Sequence, residues 1–350
     1  MKTSDEVPTS LAVKDGLEQV ADDVYRVTLP VPFRALGNVN CYLLRGPDGW
    51  DVVDTGLKTP TALAVWDAAF ARLGITPGDI HQVILTHHHP DHMGLAGHFQ
   101  QAAQQATQQA GGHTAPVRMS AREAEIIAII WGTERSERNR LMEAFFTRCG
   151  LPDPAETNFS HRELEGMRRM LLPSADITGD LTPGETVHIG ARRFEILHTP
   201  GHSDGHLVFF DPTDRLLLAG DHVLPHITPN ISFWPGVEPD PLGRYLKSLE
   251  GLQTLDVHRA LPGHGAVIDG WRERLGVLKT HHAERLDAMH HAVGRGATVF
   301  AVSQQVFQHR TLDRHQLRMA VTETLAHLDH LSDRGRLRRH DDEVWWYEPV

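Results

Sequence analysis

The sequence has little cysteine, no long apolar run and no excess of positive charge. Only Cys41 and Cys149 occur in 350 residues, which excludes a disulfide-stabilised framework. No stretch reaches the ~18 apolar residues that span a membrane, and the N-terminus lacks an apolar signal segment, so we expect a cytoplasmic protein with no membrane partner. Lys and Arg number 34 against 45 Asp and Glu, and this balance disfavours nucleic acid as a partner of the whole chain.

Histidine, in contrast, is abundant, with 25 residues in the chain. Residues 85 to 92 read Leu-Thr-His-His-His-Pro-Asp-His, in which His87, His89, Asp91 and His92 form a His-x-His-x-Asp-His motif after an apolar stretch. A strand that ends in a loop can direct two alternate histidines at one cation, and the Asp-His pair that follows can reach a second one. The motif predicts a metal site.

Three later segments supply further candidate ligands where an apolar stretch ends. They are His198-Thr-Pro-Gly-His202, Asp221 after Leu-Leu-Leu-Ala-Gly, and Pro262-Gly-His264-Gly265. The alternative is that these histidines are ordinary surface or hydrogen-bonded residues, as we expect for His81, His88 and His98. We favour ligands, because several independent motifs would otherwise have to fall in this order at strand ends by chance.

These motifs resemble those of the metallo-β-lactamase superfamily over roughly residues 20 to 275. The resemblance implies an α/β fold, the αββα sandwich, with two divalent metal ions, Zn²⁺ or alternatively Fe or Mn. One ion would be bound by His87, His89 and His202, the other by Asp91, His92 and His264, and Asp221 would bridge them. Asp54, in an Asp-Thr-Gly sequence typical of the superfamily, would hydrogen bond to a ligand histidine; the alternative is a simple turn.

The chain is long enough for one large core and a smaller unit. We expect a catalytic domain over residues 1–277, with a helical insertion at about 119–175, and a C-terminal domain over 278–350. The tail resembles the winged-helix domain of the superfamily branch that includes β-lactamase-like protein 2 and glyoxalase II-like proteins. Its ten basic and ten acidic residues cancel, so we expect it to pack or to form a homodimer rather than to bind nucleic acid.

A proline-rich loop follows Asp221 and is predicted to form a wall of the substrate pocket. His226 and Asn230 could donate to a substrate oxygen, and Trp234 could line the pocket. The alternative is that these three residues only order the loop.

Together these observations predict a binuclear metal-dependent hydrolase. A metal-bound hydroxide would cleave an ester, thioester or lactone bond of a small-molecule substrate, with Asp91 as the catalytic residue that orients the hydroxide. The alternative is a metal-dependent phosphodiesterase or endoribonuclease that acts on single-stranded RNA, as the tail suggests. A non-catalytic regulator that binds DNA through the tail is a third hypothesis, which the full set of metal ligands disfavours.

Overall fold

A seven-stranded sheet forms the first half of the fold. The structure, a computed structural model, describes residues 16–32, 37–110, 114–309 and 311–350. The strands lie in the order β1 (Leu17–Ala21), β2 (Val24–Pro30), β3 (Asn38–Arg45), β4 (Trp50–Val53), β5 (Ile80–Ile84), β6 (Val117–Arg118) and β7 (Ile177–Thr178). Strands β1 to β4 form an antiparallel meander, and β4 to β7 run parallel. Short apolar runs separated by turn residues such as Gly46-Pro-Asp-Gly49 are typical of such a meander.

Helices α1 (Pro60–Leu73), α2 (Pro90–Met93) and α3 (Ala96–Ala110) follow β4 and β5. Helix α1 begins at Pro60, and Thr59 caps it by accepting a hydrogen bond from the backbone N–H of Ala62 over 3.1 Å. It ends at Gly74, which adopts a left-handed conformation with φ 68°. Trp66 and Phe99 bring α1 and α3 into one core with the outer face of the first sheet.

The second sheet has five strands in the order β12-β11-β10-β9-β8, namely β8 (Thr186–Ile189), β9 (Arg192–His198), β10 (Leu207–Asp211), β11 (Leu216–Gly220) and β12 (Arg259–Pro262). Alternate residues face opposite sides of a strand. In β10, Phe209 packs between the two sheets with Ile84, whereas Val208 faces the helices on the outside. The sequence of layers is helix, sheet, sheet, helix, so the predicted αββα sandwich is confirmed.

Helices α4 (Ala121–Gly132), α5 (Arg135–Arg148) and α6 (His161–Arg169) occupy the region where a helical insertion was predicted. The buried Met142 and Phe146 of α5 do not pack only within this region. They share a hydrophobic core with the C-terminal residues, including Leu325 and Tyr347.

Helices α7 (Pro241–Gln253) and α8 (Trp271–Val293) cover the second sheet. The expected domain boundary at residues 277/278 falls inside α8. The chain then forms β13 (Ala297–Thr298), α9 (Val299–Val306), α10 (Arg314–Asp333), β14 (Leu337–Asp341) and β15 (Trp345–Pro349), with the strands in the order β13-β15-β14. Within the described ranges, no helix combines the length and the apolar character needed to cross a membrane.

Candidate metal centre

Four strand ends meet at one edge of the two sheets and carry the predicted ligands. His87 and His89 follow β5, and Asp91 and His92 lie in the short helix α2 that comes next. His202 follows β9, Asp221 follows β11, and His264 follows β12. The side chains form three groups whose ligand atoms lie within 4.8 Å of one another: His87 with His89 and His202, His87 with His92 and Asp221, and Asp91 with His92 and His264. The structure therefore brings the predicted ligands together.

Asp221 lies between the two outer groups. Its Oδ1 atom is 3.4 Å from Nε2 of His92, and its Oδ2 atom is 3.2 Å from Nε2 of His264 and 3.7 Å from Nε2 of His202. On the far side of His264, Oδ2 of Asp91 is 3.4 Å from the same Nε2 atom. This central position is the one that a bridging carboxylate requires.

In four of the five histidine ligands, the ring nitrogen that faces away from the centre has a partner that fixes the tautomer. Nδ1 of His92 bonds to Oδ2 of Asp54, Nδ1 of His202 to the carbonyl of Asn230, and Nδ1 of His264 to the carbonyl of Asn38. These oxygens only accept, so Nδ1 must carry a proton, and Nε2 is the nitrogen that can present a lone pair to a metal ion. Nδ1 of His87 lies 2.9 Å from Oγ1 of Thr86, whose hydroxyl donates to Asp54. A second partner of this kind is typical of metal-ligating histidine.

The lone pairs at the centre have no hydrogen-bond donor among the described residues. This holds for Nε2 of His87, His92, His202 and His264 and for Oδ1 of Asp221, and all five atoms are buried. Burying so many acceptors together costs free energy unless something positive satisfies them. Imidazole nitrogen and carboxylate oxygen are donors that Zn²⁺, Fe and Mn accept, so the donor set fits a divalent metal site.

The charges of the site also favour a cation. Burial alone would lower the pKa of His264, but Asp221 and Asp91 raise it to about 10. The pKa of His92 is likewise raised against its burial, because Asp221, Asp54 and Asp91 surround it. Burial and neighbouring imidazoles instead lower the pKa of His87 and His89, which stay neutral. The carboxylates thus attract positive charge, which a metal ion can supply in place of protons.

Asp54 hydrogen bonds to His92, one of the predicted ligands. Oδ2 accepts from Nδ1 of His92 over 2.8 Å and from the hydroxyl of Thr86 over 2.8 Å, and Oδ1 accepts from the backbone N–H of Thr86 over 2.9 Å. Its backbone adopts φ 56°, in the left-handed region that is uncommon for residues other than glycine. The Asp-Thr-Gly sequence is therefore more than a surface turn, because Asp54 is buried beneath the ligands.

His88 was expected to be a surface or hydrogen-bonded residue, and its hydrogen bonds connect it to the site. The buried carboxylate of Glu123, in the first turn of α4, accepts hydrogen bonds from both the backbone N–H and Nδ1 of His88. The other oxygen of Glu123 accepts from the backbone N–H of Gly205 over 2.7 Å. Glu123 thus joins the loop that carries His87 and His89 to the loop that carries His202.

His206 is a second residue that sequence reasoning missed. Its Nε2 atom accepts a hydrogen bond from the backbone N–H of Asp221 over 3.2 Å, and its Nδ1 atom lies 3.0 Å from Oγ1 of Thr199. The side chain is fully buried, and its hydrogen bond to the backbone of Asp221 helps to fix the position of that residue. In the sequence, the signal for this role was the position of His206 directly before the apolar strand β10, because a polar side chain that is buried there needs hydrogen-bond partners.

The three predicted pocket residues lie in the loop that follows Asp221. His226 is exposed. The carbonyl of Asn230 accepts from Nδ1 of His202 over 3.0 Å. The ring of Trp234 lies 6.2 Å from that of Phe146 and packs against the core that α5 shares with the C-terminal residues. Contact of these residues with substrate stays a prediction.

Comparison with known proteins agrees with this architecture. Residues 34–264 match the metallo-beta-lactamase superfamily, and residues 286–350 match the metallo-beta-lactamase-like C-terminal domain. A beta-lactamase domain protein from Burkholderia ambifaria, whose crystal structure is known, is 30% identical with a TM-score of 0.81, and the match covers 98% of this chain and 97% of that one.

Two curated relatives carry functional names. The protein named "Probable metallo-hydrolase YqjP" from Bacillus subtilis is 27% identical over 320 residues, which cover 88% of this chain and 92% of the relative. An atrochrysone carboxyl ACP thioesterase from Aspergillus fumigatus is 27% identical over 136 residues, which cover 39% of this chain and 28% of the relative. The chain belongs to the metallo-β-lactamase superfamily, with a C-terminal metallo-β-lactamase-like domain, and is a metallo-hydrolase.

Proposed function

We propose that the protein is a binuclear metal hydrolase that cleaves an ester, thioester or lactone bond of a small metabolite. The observation that carries the proposal is the position of Asp221 between two groups of inward-facing imidazole lone pairs. A single metal ion would use only one of these groups and would leave buried acceptors of the other unsatisfied.

The residues that would hold the first ion are His87, His89 and His202, and those that would hold the second are Asp91, His92 and His264, with Asp221 shared. Zn²⁺ is our first choice for both ions, with Fe or Mn as alternatives. Two such cations would lower the pKa of a water molecule and polarise the substrate carbonyl. Asp54, Thr86, Asn230 and Asn38 hold the rings in the tautomer that this binding needs.

Asp91 is proposed to orient the attacking water. Burial alone would raise the pKa of Asp91, but His92 and His264 lower it below its usual value, so the carboxylate is ionised at neutral pH. An ionised carboxylate accepts a hydrogen bond from water and fixes the direction of its lone pair. Nε2 of His264 lies 3.4 Å from Oδ2 of Asp91, so we assign the bond to water to Oδ1.

A small-molecule substrate is favoured over RNA by the C-terminal helices. The elements α8, β13, α9, α10 and the β14–β15 hairpin follow the order expected of a winged helix. We therefore include the winged-helix assignment, and the superfamily branch named for it, in this proposal. In helix-turn-helix proteins the second helix of the pair enters the DNA groove. Here that helix is α10, whose residues from Ala320 to Leu331 are almost all buried, so only its first turns have free surface to offer.

Thioesters are the first substrates to test, because the Aspergillus fumigatus relative is a thioesterase. We would assay acyl thioesters, lactones, aryl esters and single-stranded RNA with the metal-loaded protein. The variants Asp91→Ala and His202→Ala should lower hydrolysis by at least about 100-fold, whereas His188→Ala, at an exposed position of β8, should not. Equal rates in all variants would refute the proposal. Metal-dependent cleavage of RNA alone would replace it with the nuclease alternative.

A further inference from the structure

The loop after Asp221 is bonded to the C-terminal helix α10 at three points. Nδ2 of Asn230 donates to Oε2 of Glu323 over 3.2 Å. Oγ of Ser232 lies 2.9 Å from Oγ1 of Thr322 in hydrogen-bond contact, and the backbone N–H of Phe233 donates to the carbonyl of Thr322 over 3.1 Å. Three of the four loop residues from Asn230 to Phe233 are therefore held by two adjacent residues of one helix.

The same loop orients a proposed metal ligand. The carbonyl of Asn230 accepts from Nδ1 of His202 over 3.0 Å, and this bond directs the lone pair of Nε2 into the centre. Residues 222 to 236 contain no helix or strand, so the direction of this carbonyl depends on what the loop is bonded to. A continuous path thus runs from Glu323 through Asn230 to His202.

Helix α10 is itself fixed from several sides. The guanidinium of Arg318, which is buried, donates to the carbonyls of Thr157 and Asn158 over 2.7 and 3.0 Å. At the other end of the helix, Nδ1 of His330 lies 2.8 Å from Oδ1 of Asp240, the residue that caps α7. A helix held at both ends gives the loop a rigid support.

We propose that Thr322 and Glu323 are positioning residues of the metal centre, through which the C-terminal domain sets the direction of the His202 ring. The inference rests on the proposed role of His202 as a metal ligand. Neither residue touches the ligands directly, and both act through Asn230 and its neighbours. The C-terminal domain would thereby take part in metal binding.

Loss of a partner that bonds a ligand directly typically weakens metal affinity by about 10- to 100-fold. Thr322 and Glu323 act one bond further away, so we expect an effect of about 3- to 10-fold. The effect should fall on the ion that His202 binds, and the ion held by Asp91, His92 and His264 should keep its affinity.

Helix α10 offers a matched control for Thr322. Thr322 and Thr324 are both fully buried, and the hydroxyl of each also bonds to a backbone carbonyl one turn earlier, over 2.9 and 2.8 Å. The hydroxyl of Thr322 also reaches Ser232, whereas that of Thr324 has only its intrahelical bond among the contacts described. Thr322→Val and Thr324→Val therefore differ mainly in the bond to the loop. Glu323→Gln keeps an acceptor for Asn230, and Glu323→Ala removes it.

The experiment uses the full-length protein and Co²⁺ as a probe of the centre. We would titrate Co²⁺ into each metal-free variant, follow its visible absorption bands, and record the melting temperature of the metal-free form. Thr322→Val and Glu323→Ala should weaken the binding of one Co²⁺ ion by about 3- to 10-fold and alter its spectrum, whereas Thr324→Val and Glu323→Gln should resemble the wild type. Melting temperatures should fall in both threonine variants, and further in Thr322→Val, which also loses the bond to Ser232.

Identical Co²⁺ affinities and spectra for Thr322→Val and Thr324→Val would overturn the inference, as would a Glu323→Ala variant that changes only the melting temperature. His202→Ala separates this failure from that of the proposed function. If His202→Ala still binds two Co²⁺ ions with unchanged affinity, the ligand assignment itself is wrong. If it loses one ion while Thr322→Val and Glu323→Ala lose nothing, only the positioning role fails.

Discussion

Asp54 and His92 are joined by a 2.8 Å hydrogen bond between Oδ2 of the carboxylate and Nδ1 of the imidazole. The bond fixes the proton on Nδ1 and leaves the lone pair of Nε2 directed toward Asp221. The same carboxylate holds Thr86, whose hydroxyl oxygen contacts Nδ1 of His87. One buried side chain therefore orients ligands that we assign to both metal ions.

Replacement of Asp54 by asparagine should weaken metal binding by about 10- to 100-fold, because the amide has one acceptor oxygen for the donors that Asp54 now satisfies. Competition with a chromophoric chelator would measure the change. Asp51→Asn is the matched control, since Asp51 is also buried but bonds to Gln82 and Gly190 instead. Similar metal affinities in the two variants would contradict the role assigned to Asp54.

The sequence was sufficient to predict the elements that depend on local signals. The apolar spacing between Pro60 and Gly74 indicates helix α1, and Thr59 and Gly74 cap the helix in the structure. The ligands were predicted because each follows an apolar strand, and strand ends on one edge of a sheet converge. In both cases the information lies within a few consecutive residues.

Contacts between distant segments could not be predicted in this way. Glu123 binds His88 across 35 positions, and no periodicity pairs them. Phe146 packs with Tyr347, although the first was assigned to an insertion and the second to a separate domain. The contribution of Asn230 to the site is through its backbone carbonyl, which has the same chemistry in every residue and leaves no trace in the sequence.

Glu123→Gln should destabilise the fold by about 2 to 3 kcal/mol, because the buried N–H groups of His88 and Gly205 would face an amide that both donates and accepts. Burial alone would raise the pKa of Glu123, but His88 lowers it below its usual value, so the native residue is ionised. Chemical denaturation of the metal-free protein would measure the loss. The exposed Glu125, in the same helix, is the control, and Glu125→Gln should change stability by less than about 0.5 kcal/mol.

The buried pair of His282 and His327 should make the fold sensitive to acid. Their ring nitrogens lie 3.3 Å apart, and burial, followed for His282 by the charge of His327, lowers the pKa of both to about 3. In the unfolded chain each would titrate near its ordinary value of about 6.5. Between these values the unfolded state binds more protons than the folded state, so the free energy of unfolding falls as the pH is lowered.

Replacing either histidine by glutamine should therefore reduce this slope by up to about 1.4 kcal/mol per pH unit between roughly pH 6 and 4. Denaturation of the metal-free protein at several pH values would give the slope for each variant. The ligand histidines also titrate, but they are present in every variant and cancel in the comparison. His188→Gln, at an exposed position, should keep the wild-type slope; a His327→Gln variant that also keeps it would rule out the proposed origin of the acid sensitivity.

Phe146→Ala should loosen α5 and the C-terminal helices together. Phe146 is fully buried, and its cluster contains Met142 from the same helix and Val302, Leu325 and Tyr347 from the C-terminal residues. Truncation of a buried phenylalanine costs about 3 to 5 kcal/mol. If these segments form one cooperative unit, that cost lowers the free energy of opening for all of them.

Native-state hydrogen exchange would distinguish one cooperative unit from an insertion that opens independently of the C-terminal helices. Amides of α5, α9 and α10 should exchange faster by a similar factor. Amides of β10 and β11 should keep their protection, because these strands contribute to the core between the two sheets and to the core between the second sheet and its helices. Faster exchange confined to α5 would mean that the insertion has its own core. If exchange instead rises by the same factor in α5, α9 and α10, the expected domain boundary at residues 277/278 divides parts that fold together. The continuity of α8 through that boundary already favours this outcome.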